Sequence, residues 1–207
     1  MKELTIPNFG VVPFQGDPGI KTHKHMPKLQ QLHICVGKRN SGKSTYATNF
    51  LERLPIDRLF IISPSMNSNK GLMDRLSSMC ENIDCFNDPD DVSCLDTIKE
   101  RIEGERDDLE KYERDCRRYK KLMKSINSNS MFCDSDDEEM LEFWTNGRFQ
   151  EPQHKWDGRK PVCAILIDDA QGSALYKGRK LNQFCIFHRH IGGLKRGGAI
   201  GCSLFFC

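Results

Sequence analysis

Short apolar runs alternate with longer polar stretches along the chain, and four of the runs have the length and composition of buried β-strands. They occupy residues 32–36, 59–63, 162–167 and 200–206. Each run is followed by a glycine, a proline, an acidic residue or the last residue of the chain. Buried strands of a parallel sheet have this appearance, because both of their faces are covered. Residues 66–96 carry no clear pattern, and no element is assigned to them.

Helical periodicity appears in two segments. Residues 43–53 place Tyr46 and Phe50 one helical turn apart. Residues 98–126 carry apolar side chains at alternating steps of four and three, with Glu105 as the one break. Acidic residues dominate the first half of this second segment and basic residues the second half, which suits a helix dipole. We therefore expect a long helical insertion at about 97–126, either packed on its own domain or projecting as a partner-binding arm.

Composition limits the class of protein without identifying it. The chain has 207 residues and a net charge of +2, which suits one domain of residues 28–207 after an extended, Pro- and Gly-rich segment of residues 1–27. No run reaches the roughly 18 apolar residues of a membrane span. The N-terminus lacks the pattern of a secretory signal, so an intracellular protein is expected. The ten cysteines form no CxxC pair, which favours free thiols.

The most specific signal is the octapeptide at residues 37–44, GKRNSGKS, which fits the pattern G-x-x-x-x-G-K-[ST] of a phosphate-binding P-loop. It lies between a predicted strand and a predicted helix, as a P-loop does. Glycines let the backbone amides approach phosphate oxygens, and the helix start adds its positive end. Lys43 is predicted to hold the outer phosphates, and Ser44 to ligate Mg²⁺. The predicted ATP-binding residues are Gly37, Lys38, Arg39, Asn40, Ser41, Gly42, Lys43, Ser44 and Thr45.

A second signal is the pair Asp168-Asp169 directly after the apolar run 162–167. A buried strand that ends in an acid delivers a carboxylate to the Mg²⁺ beside a P-loop. We assign Asp168 to the metal. Asp169 is assigned as the catalytic residue that orients or deprotonates the hydrolytic water. The alternative for Asp169 is a simple turn cap.

The order of the runs narrows the class of P-loop protein. The run 59–63 lies between the P-loop strand and the strand before Asp168. Kinase-type and GTPase-type proteins usually place these two strands side by side, whereas motor-like ATPases separate them and carry a second acid. We therefore predict an α/β, three-layer P-loop NTPase fold of the RecA/ASCE type, with a central and mostly parallel sheet. The chain also lacks the guanine-reading Asn/Thr-Lys-x-Asp motif of GTPases.

Four motifs in this order resemble those of the genome-packaging ATPases of large DNA viruses, virophages and Polinton-type transposons, within the FtsK/HerA division of P-loop motors. The motifs are GKRNSGKS (37–44), FIISPS (60–65), ILIDDAQ (165–171) and HRHIGG (188–193). The resemblance covers about residues 32–206 and extends to the helical insertion. It implies a homo-oligomeric ring that uses ATP and Mg²⁺ to move double-stranded DNA into a capsid. The resemblance also implies capsid or portal-like partner proteins and a location in an infected cell or in the virion.

The resemblance also carries expectations for the last strand. In the family this strand lies between the P-loop strand and the strand before the acids, and it normally ends in a polar sensor residue, usually Gln. Here only Cys207 follows the run 200–206. Two interpretations stay open: the chain is a fragment that lacks the sensor and later elements, or the sheet closes differently.

Arg189 is the candidate arginine finger, which ring ATPases supply from a neighbouring subunit. The alternative is that Arg189 forms an ion pair with a nearby carboxylate.

Five other basic residues lie next to glycines on expected loops and are candidates for contacts with DNA phosphates. They are Lys177, Arg179, Lys180, Lys195 and Arg196. That these loops are ordinary and solvated is an equal alternative.

Two other functions remain open at this stage. A small-molecule or nucleotide kinase would share the P-loop, but the extra strand and the second acid disfavour it. A nucleotide-binding module without catalysis is favoured only by the position of Cys207. Nucleotide turnover and its response to DNA distinguish the three.

Overall fold

The structure, a computed structural model, describes residues 29–38, 41–127 and 151–207, without the side chains of residues 67, 122 and 125–127. The expectations for residues 1–27 and for Arg39 and Asn40 in the P-loop lie outside the described residues. The acidic stretch 134–139, whose composition predicts a loop, also lies outside them. The expected free thiols are found at the nine cysteines that are described.

Among the described residues, five parallel strands form one sheet in the spatial order β1-β5-β4-β2-β3. The strands are β1 (Leu32–Ile34), β2 (Arg58–Ile62), β3 (Ile83–Phe86), β4 (Cys163–Ile167) and β5 (Cys202–Phe206). Strands occur at all four predicted positions, and β3 is an addition from the unassigned stretch 66–96. The expectation of a buried strand is wrong for the run 32–36, because β1 is an edge strand whose Leu32 and Ile34 are 40% and 67% exposed. In the sheet, β1 and β4 are separated by the last strand, β5. Along the chain they are separated by β2 and β3, but in the sheet both of these strands lie on the far side of β4.

Five α-helices connect and cover the strands in the part of the chain that the structure describes. They are α1 (Lys43–Leu51), α2 (Lys70–Met79), α3 (Cys94–Asn127), α4 (Ala174–Lys177) and α5 (Arg179–Phe187), with a 3-10 helix at Met66–Ser68. The prediction was right for α1 and for the helical character of α3. It missed α2, which like β3 falls in residues 66–96. It was wrong for the loop expected around Lys177 and Arg179, because these residues belong to the ends of α4 and α5.

Alternating side chains of the strands build two cores, one on each face of the sheet. On β4, Ile165 and Ile167 face the core shared with α3 and α5, whereas Ala164 and Leu166 face the core shared with α1 and α2. Every residue of β4 and β5 is buried, which explains why their sequences are apolar except for Ser203. The Ser203 hydroxyl accepts a hydrogen bond from the amide of Gln30 at 3.0 Å. The molecule is therefore α/β, with a parallel sheet between two helical layers.

The long helix α3 has two parts with different roles. In its first part, Leu95, Ile98 and Ile102 are buried against the sheet, so this part serves as the connection from β3 to β4 and is more than an added arm. At about 1.5 Å per residue, the 34 residues of α3 reach about 50 Å. Its second part holds the chain's 194–196 turn through ion pairs of Glu110 with Lys195 and Glu113 with Arg196. Within the described residues, α3 packs on its own domain.

Glu105, which interrupts the apolar stripe of α3, anchors the helix to the sheet. Its Oε1 accepts from Arg58 of β2 at 2.6 Å, and its Oε2 accepts from the indole nitrogen of Trp156 at 2.6 Å. Arg58 also pairs with Asp84 of β3 at 3.0 Å. Glu105 is only 7% exposed, so its charge is compensated inside the protein.

Candidate nucleotide-binding site

The register of the sheet brings the ends of all five strands to one edge. Ile34, Phe206, Ile167, Ile62 and Phe86 pair in sequence across the sheet, and each is the last residue of its strand. The residues that follow therefore meet at this carboxyl edge. Three of these following segments carry the candidate chemistry: the loop that leads to Lys43, the pair Asp168-Asp169, and the segment after β2.

The P-loop connects β1 to α1 and turns tightly. The amide of Ser41 donates to the carbonyl of Lys38 at 3.2 Å, and Gly42 has a φ of 83°, a left-handed conformation that glycine adopts without strain. A Cβ at Gly37 would lie 2.5 Å from Oγ of Ser41, so a larger residue there would displace the Ser41 side chain. The Lys43 ammonium folds back over the loop and donates to the Lys38 carbonyl at 3.3 Å.

Asp168 is the buried acid of the site, at 4% exposure. Burial raises the pKa of its carboxyl, and the charge of Asp169 raises it further, whereas the Ser44 side chain and the Lys43 charge lower it. The two residues predicted to share a Mg²⁺ ion, Ser44 and Asp168, are therefore neighbours. Among the described residues, Oδ1 of Asp168 has no hydrogen-bond partner although it is buried.

Asp169 follows in a different environment. It is exposed, and its φ of 52° lies in the left-handed region that aspartate tolerates better than most residues. Its Oδ2 accepts a hydrogen bond from the hydroxyl of Ser65 at 2.9 Å. The Ser65 hydroxyl in turn lies 3.2 Å from that of Ser63, the first residue after β2. The two acids therefore lie in different environments, since Asp168 is buried and Asp169 is exposed to solvent.

The residues present fit a magnesium–nucleotide complex. A buried carboxylate oxygen without a donor, a neighbouring hydroxyl and a glycine-shaped loop at a helix start are suitable for a hard cation and a polyphosphate. Among the described residues, no group of three or more His, Cys, Asp and Glu side chains forms a metal site by itself. A metal here would thus take part of its ligands from Ser44 and Asp168 and the rest from the nucleotide and water.

Arg189, the predicted finger, does not lie at this edge. It precedes β5, where the amide of Cys202 donates to the carbonyl of His188 at 3.0 Å, so it sits at the amino edge of the sheet. Arg189 is exposed, and no ion pair joins it to a carboxylate in the part of the chain that the structure describes. It therefore cannot reach the P-loop of its own chain across a five-residue strand, which spans roughly 17 Å.

Three of the five basic residues expected to face DNA are ion-paired within the chain. Lys180 pairs with Asp96, and Lys195 and Arg196 pair with acidic residues of α3. Lys177 and Arg179 are exposed. The expected loop position is wrong for Lys177, Arg179 and Lys180, because all three belong to helices.

The prediction missed two residues of the site, Ser63 and Ser65. The signal was present, because the strand 59–63 ends in Ser-Pro-Ser. A polar group directly after a buried parallel strand lies at the carboxyl edge, beside the groups that follow the neighbouring strands. The contact with Asp169 depends on β2 being the neighbour of β4, which the sequence does not state.

Comparisons with known proteins add no assignment to this geometry: no family model, no curated protein and no solved structure matches the chain. Among the described residues, no helix is both long enough and apolar enough to cross a membrane.

Proposed function

We propose that this protein is a P-loop ATPase that binds ATP and Mg²⁺ between the loop 37–45 and Asp168, and that hydrolyses ATP to ADP and phosphate. The observation that carries the proposal is the meeting of Lys43, Ser44 and Asp168 at one edge of the sheet, after strands that are far apart in sequence. A turn of no function would not need a buried carboxylate beside it.

Each residue has a role that follows from its position. The amides of the loop and the Lys43 ammonium hold the phosphates, while Ser44 and Asp168 hold the metal. When bound, Mg²⁺ neutralises the charge that develops on the phosphate oxygens. Asp169 takes a proton from water as the water oxygen attacks the terminal phosphorus and ADP departs. Its exposure gives it access to that water.

The proposal extends to a DNA-translocating motor of the FtsK/HerA type that packages viral DNA. The central place of β5, between β1 and β4, is what this class requires and what a kinase-type sheet would lack. In such a ring, Arg189 would act on the nucleotide of a neighbouring subunit, since it lies on the edge opposite its own P-loop. DNA, a ring of identical subunits and a capsid partner remain parts of the proposal.

Nucleotide binding is tested at Lys43. Lys43→Ala should abolish binding of a fluorescent ATP analogue, because the phosphates lose their compact positive charge. Lys70→Ala, an exposed lysine at the start of α2, is the matched control and should bind as the wild type does. Equal affinity of Lys43→Ala and wild type would remove the P-loop assignment.

Hydrolysis is tested at Asp169. Asp169→Asn keeps the size and tolerates the same backbone conformation, so binding should persist while phosphate release stops. Asp74→Asn, at an exposed position of α2, controls for the loss of one charge. Turnover in Asp169→Asn equal to that of wild type would exclude Asp169 as the base.

The same assay separates the three functions. Stimulation of phosphate release by double-stranded DNA supports the motor. Phosphoryl transfer to a small acceptor, with no release to water, supports a kinase instead. Binding without turnover supports a non-catalytic module.

A further inference from the structure

A short chain of hydroxyl groups leads to the exposed acid of the site. Ser65 donates to Oδ2 of Asp169 at 2.9 Å, and the hydroxyls of Ser63 and Ser65 are 3.2 Å apart. A serine hydroxyl has one proton, and that of Ser65 is engaged with the carboxylate. Ser63 must therefore be the donor to Ser65, which orders the chain from Ser63 through Ser65 to Asp169.

The start of this chain is held firmly by the sheet. Ser63 is 1% exposed, and its amide donates to the carbonyl of Phe86, the last residue of β3, at 3.0 Å. Its hydroxyl also accepts from the amide of Ser65 at 3.3 Å. Pro64 lies between the two serines, and its ring fixes one backbone angle of the connection. The Ser65 hydroxyl thus projects from a rigid support, which is how an orienting group needs to be held.

Asp169 depends on such support because it is exposed and lies past the end of β4. Among the described residues, Ser65 is the side chain that donates to its carboxylate, and the second oxygen, Oδ1, receives no donor. Without Ser65, a solvated carboxylate would sample several side-chain rotamers. With Oδ2 fixed, Oδ1 is available to accept a proton from water in a defined direction, which base catalysis requires.

We propose that Ser65, supported by Ser63, is a positioning residue that orients the Asp169 carboxylate for attack of water on the nucleotide. This inference rests on the proposed ATPase function. Ser65 does not contact the P-loop lysine or the metal-binding acid, so it acts on turnover and leaves nucleotide affinity unchanged.

The test compares kcat with nucleotide affinity in serine variants. Ser65→Ala should lower kcat about tenfold, the effect of one hydrogen bond to a charged group, with the affinity for a fluorescent ATP analogue unchanged. Ser65→Thr keeps the hydroxyl and should restore most of the turnover. Ser63→Ala removes the donor behind Ser65 and should lower kcat by less. Ser78→Ala removes an exposed hydroxyl on α2 and is the matched control, with wild-type values expected.

Several results would overturn the positioning role. They are a kcat of Ser65→Ala equal to or above that of wild type, a kcat of Ser65→Thr as low as that of Ser65→Ala, or a parallel loss of affinity. The failure of the ATPase proposal is recognised separately. If the wild type releases no phosphate, both ideas fall. If the wild type is active, Asp169→Asn is inactive and Ser65→Ala is as active as wild type, only the role of Ser65 is lost.

Discussion

Removing the Glu105 carboxylate should destabilise the protein, because this side chain anchors α3 to the sheet. Glu105→Ala deletes the partner of the Arg58 guanidinium at 2.6 Å and the acceptor of the Trp156 indole nitrogen at 2.6 Å. The side chains of Arg58 and Glu105 are 15% and 8% exposed, so water replaces neither contact well. Loss of one partner of a buried pair costs about 3–5 kcal/mol.

The expected magnitude for this protein is lower, because Arg58 retains Asp84 at 3.0 Å. We therefore expect Glu105→Ala to lower the free energy of unfolding by about 2–4 kcal/mol, which combines a weakened charge pair with an orphaned indole donor. Glu105→Gln keeps one acceptor oxygen and loses the charge, so a loss of about 1–2 kcal/mol is expected.

Urea denaturation measures these changes, followed by far-UV circular dichroism and by tryptophan fluorescence. Glu103→Ala is the matched control on the same helix. Its carboxylate lies 3.9 Å from the Lys99 ammonium in a pair that is largely exposed, and such pairs contribute less than about 1 kcal/mol. A loss in Glu105→Ala no greater than the loss in Glu103→Ala would refute the view that Glu105 anchors α3 to the sheet.

Other predictions concern α3, the segment that packs on it, and Asp168, the acid proposed to bind Mg²⁺. Gly104→Ala should raise the free energy of unfolding by about 1 kcal/mol, because an added Cβ meets no atom within 4 Å and alanine favours the helix. Gly158→Ala should lower it by about 1–2 kcal/mol, because the Cβ would lie 2.7 Å from Tyr112 at a φ of 75°. Urea denaturation of both variants measures these changes in the free energy of unfolding. Changes of the same sign in the two variants would contradict the prediction. Asp168→Asn should stabilise the nucleotide-free protein at neutral pH by about 1 kcal/mol, because the buried oxygen without a donor is no longer charged. The same substitution should abolish Mg²⁺-dependent hydrolysis. Burial raises the pKa of Asp168 in the folded state. The ionised carboxylate therefore lowers the stability of the wild type above that pKa, and this loss of stability disappears as the pH falls through it. The stability advantage of Asp168→Asn should therefore shrink in acid, and an advantage independent of pH would argue against this cause.

The candidate site was predictable to the extent that its parts are local. The P-loop is one continuous octapeptide. The close contact of Gly37 with Ser41 and the left-handed conformation of Gly42 both arise within these eight residues. Asp168 and Asp169 follow an apolar run directly. Local patterns of this kind can be recognised from the sequence, because the strand, the turn and the reactive side chain are neighbours in the chain.

The contacts of Ser65 and Glu105 could not be predicted in the same way. Ser65 meets Asp169 only because β2 pairs with β4, and Glu105 meets Arg58 and Trp156 only because α3 crosses the sheet at that point. In the sequence, Glu105 looks like a defect in an apolar stripe. Buried polar groups are explained by their partners, and those partners are 47 and 51 residues away.

From the sequence alone come the α/β class, the positions of four strands and two helical segments, and the residues of the P-loop motif and the acidic pair. That β1 is an exposed edge strand was not predicted. These depend on side-chain period and on motifs that a few adjacent residues carry. Only the tertiary structure decided that β5 lies between β1 and β4, that Arg189 lies at the edge opposite the P-loop, and that the basic residues near α3 are largely paired with its acids. The physical reason is that strand order and charge pairing depend on which surfaces meet after the chain has folded, and residues distant in sequence supply those surfaces.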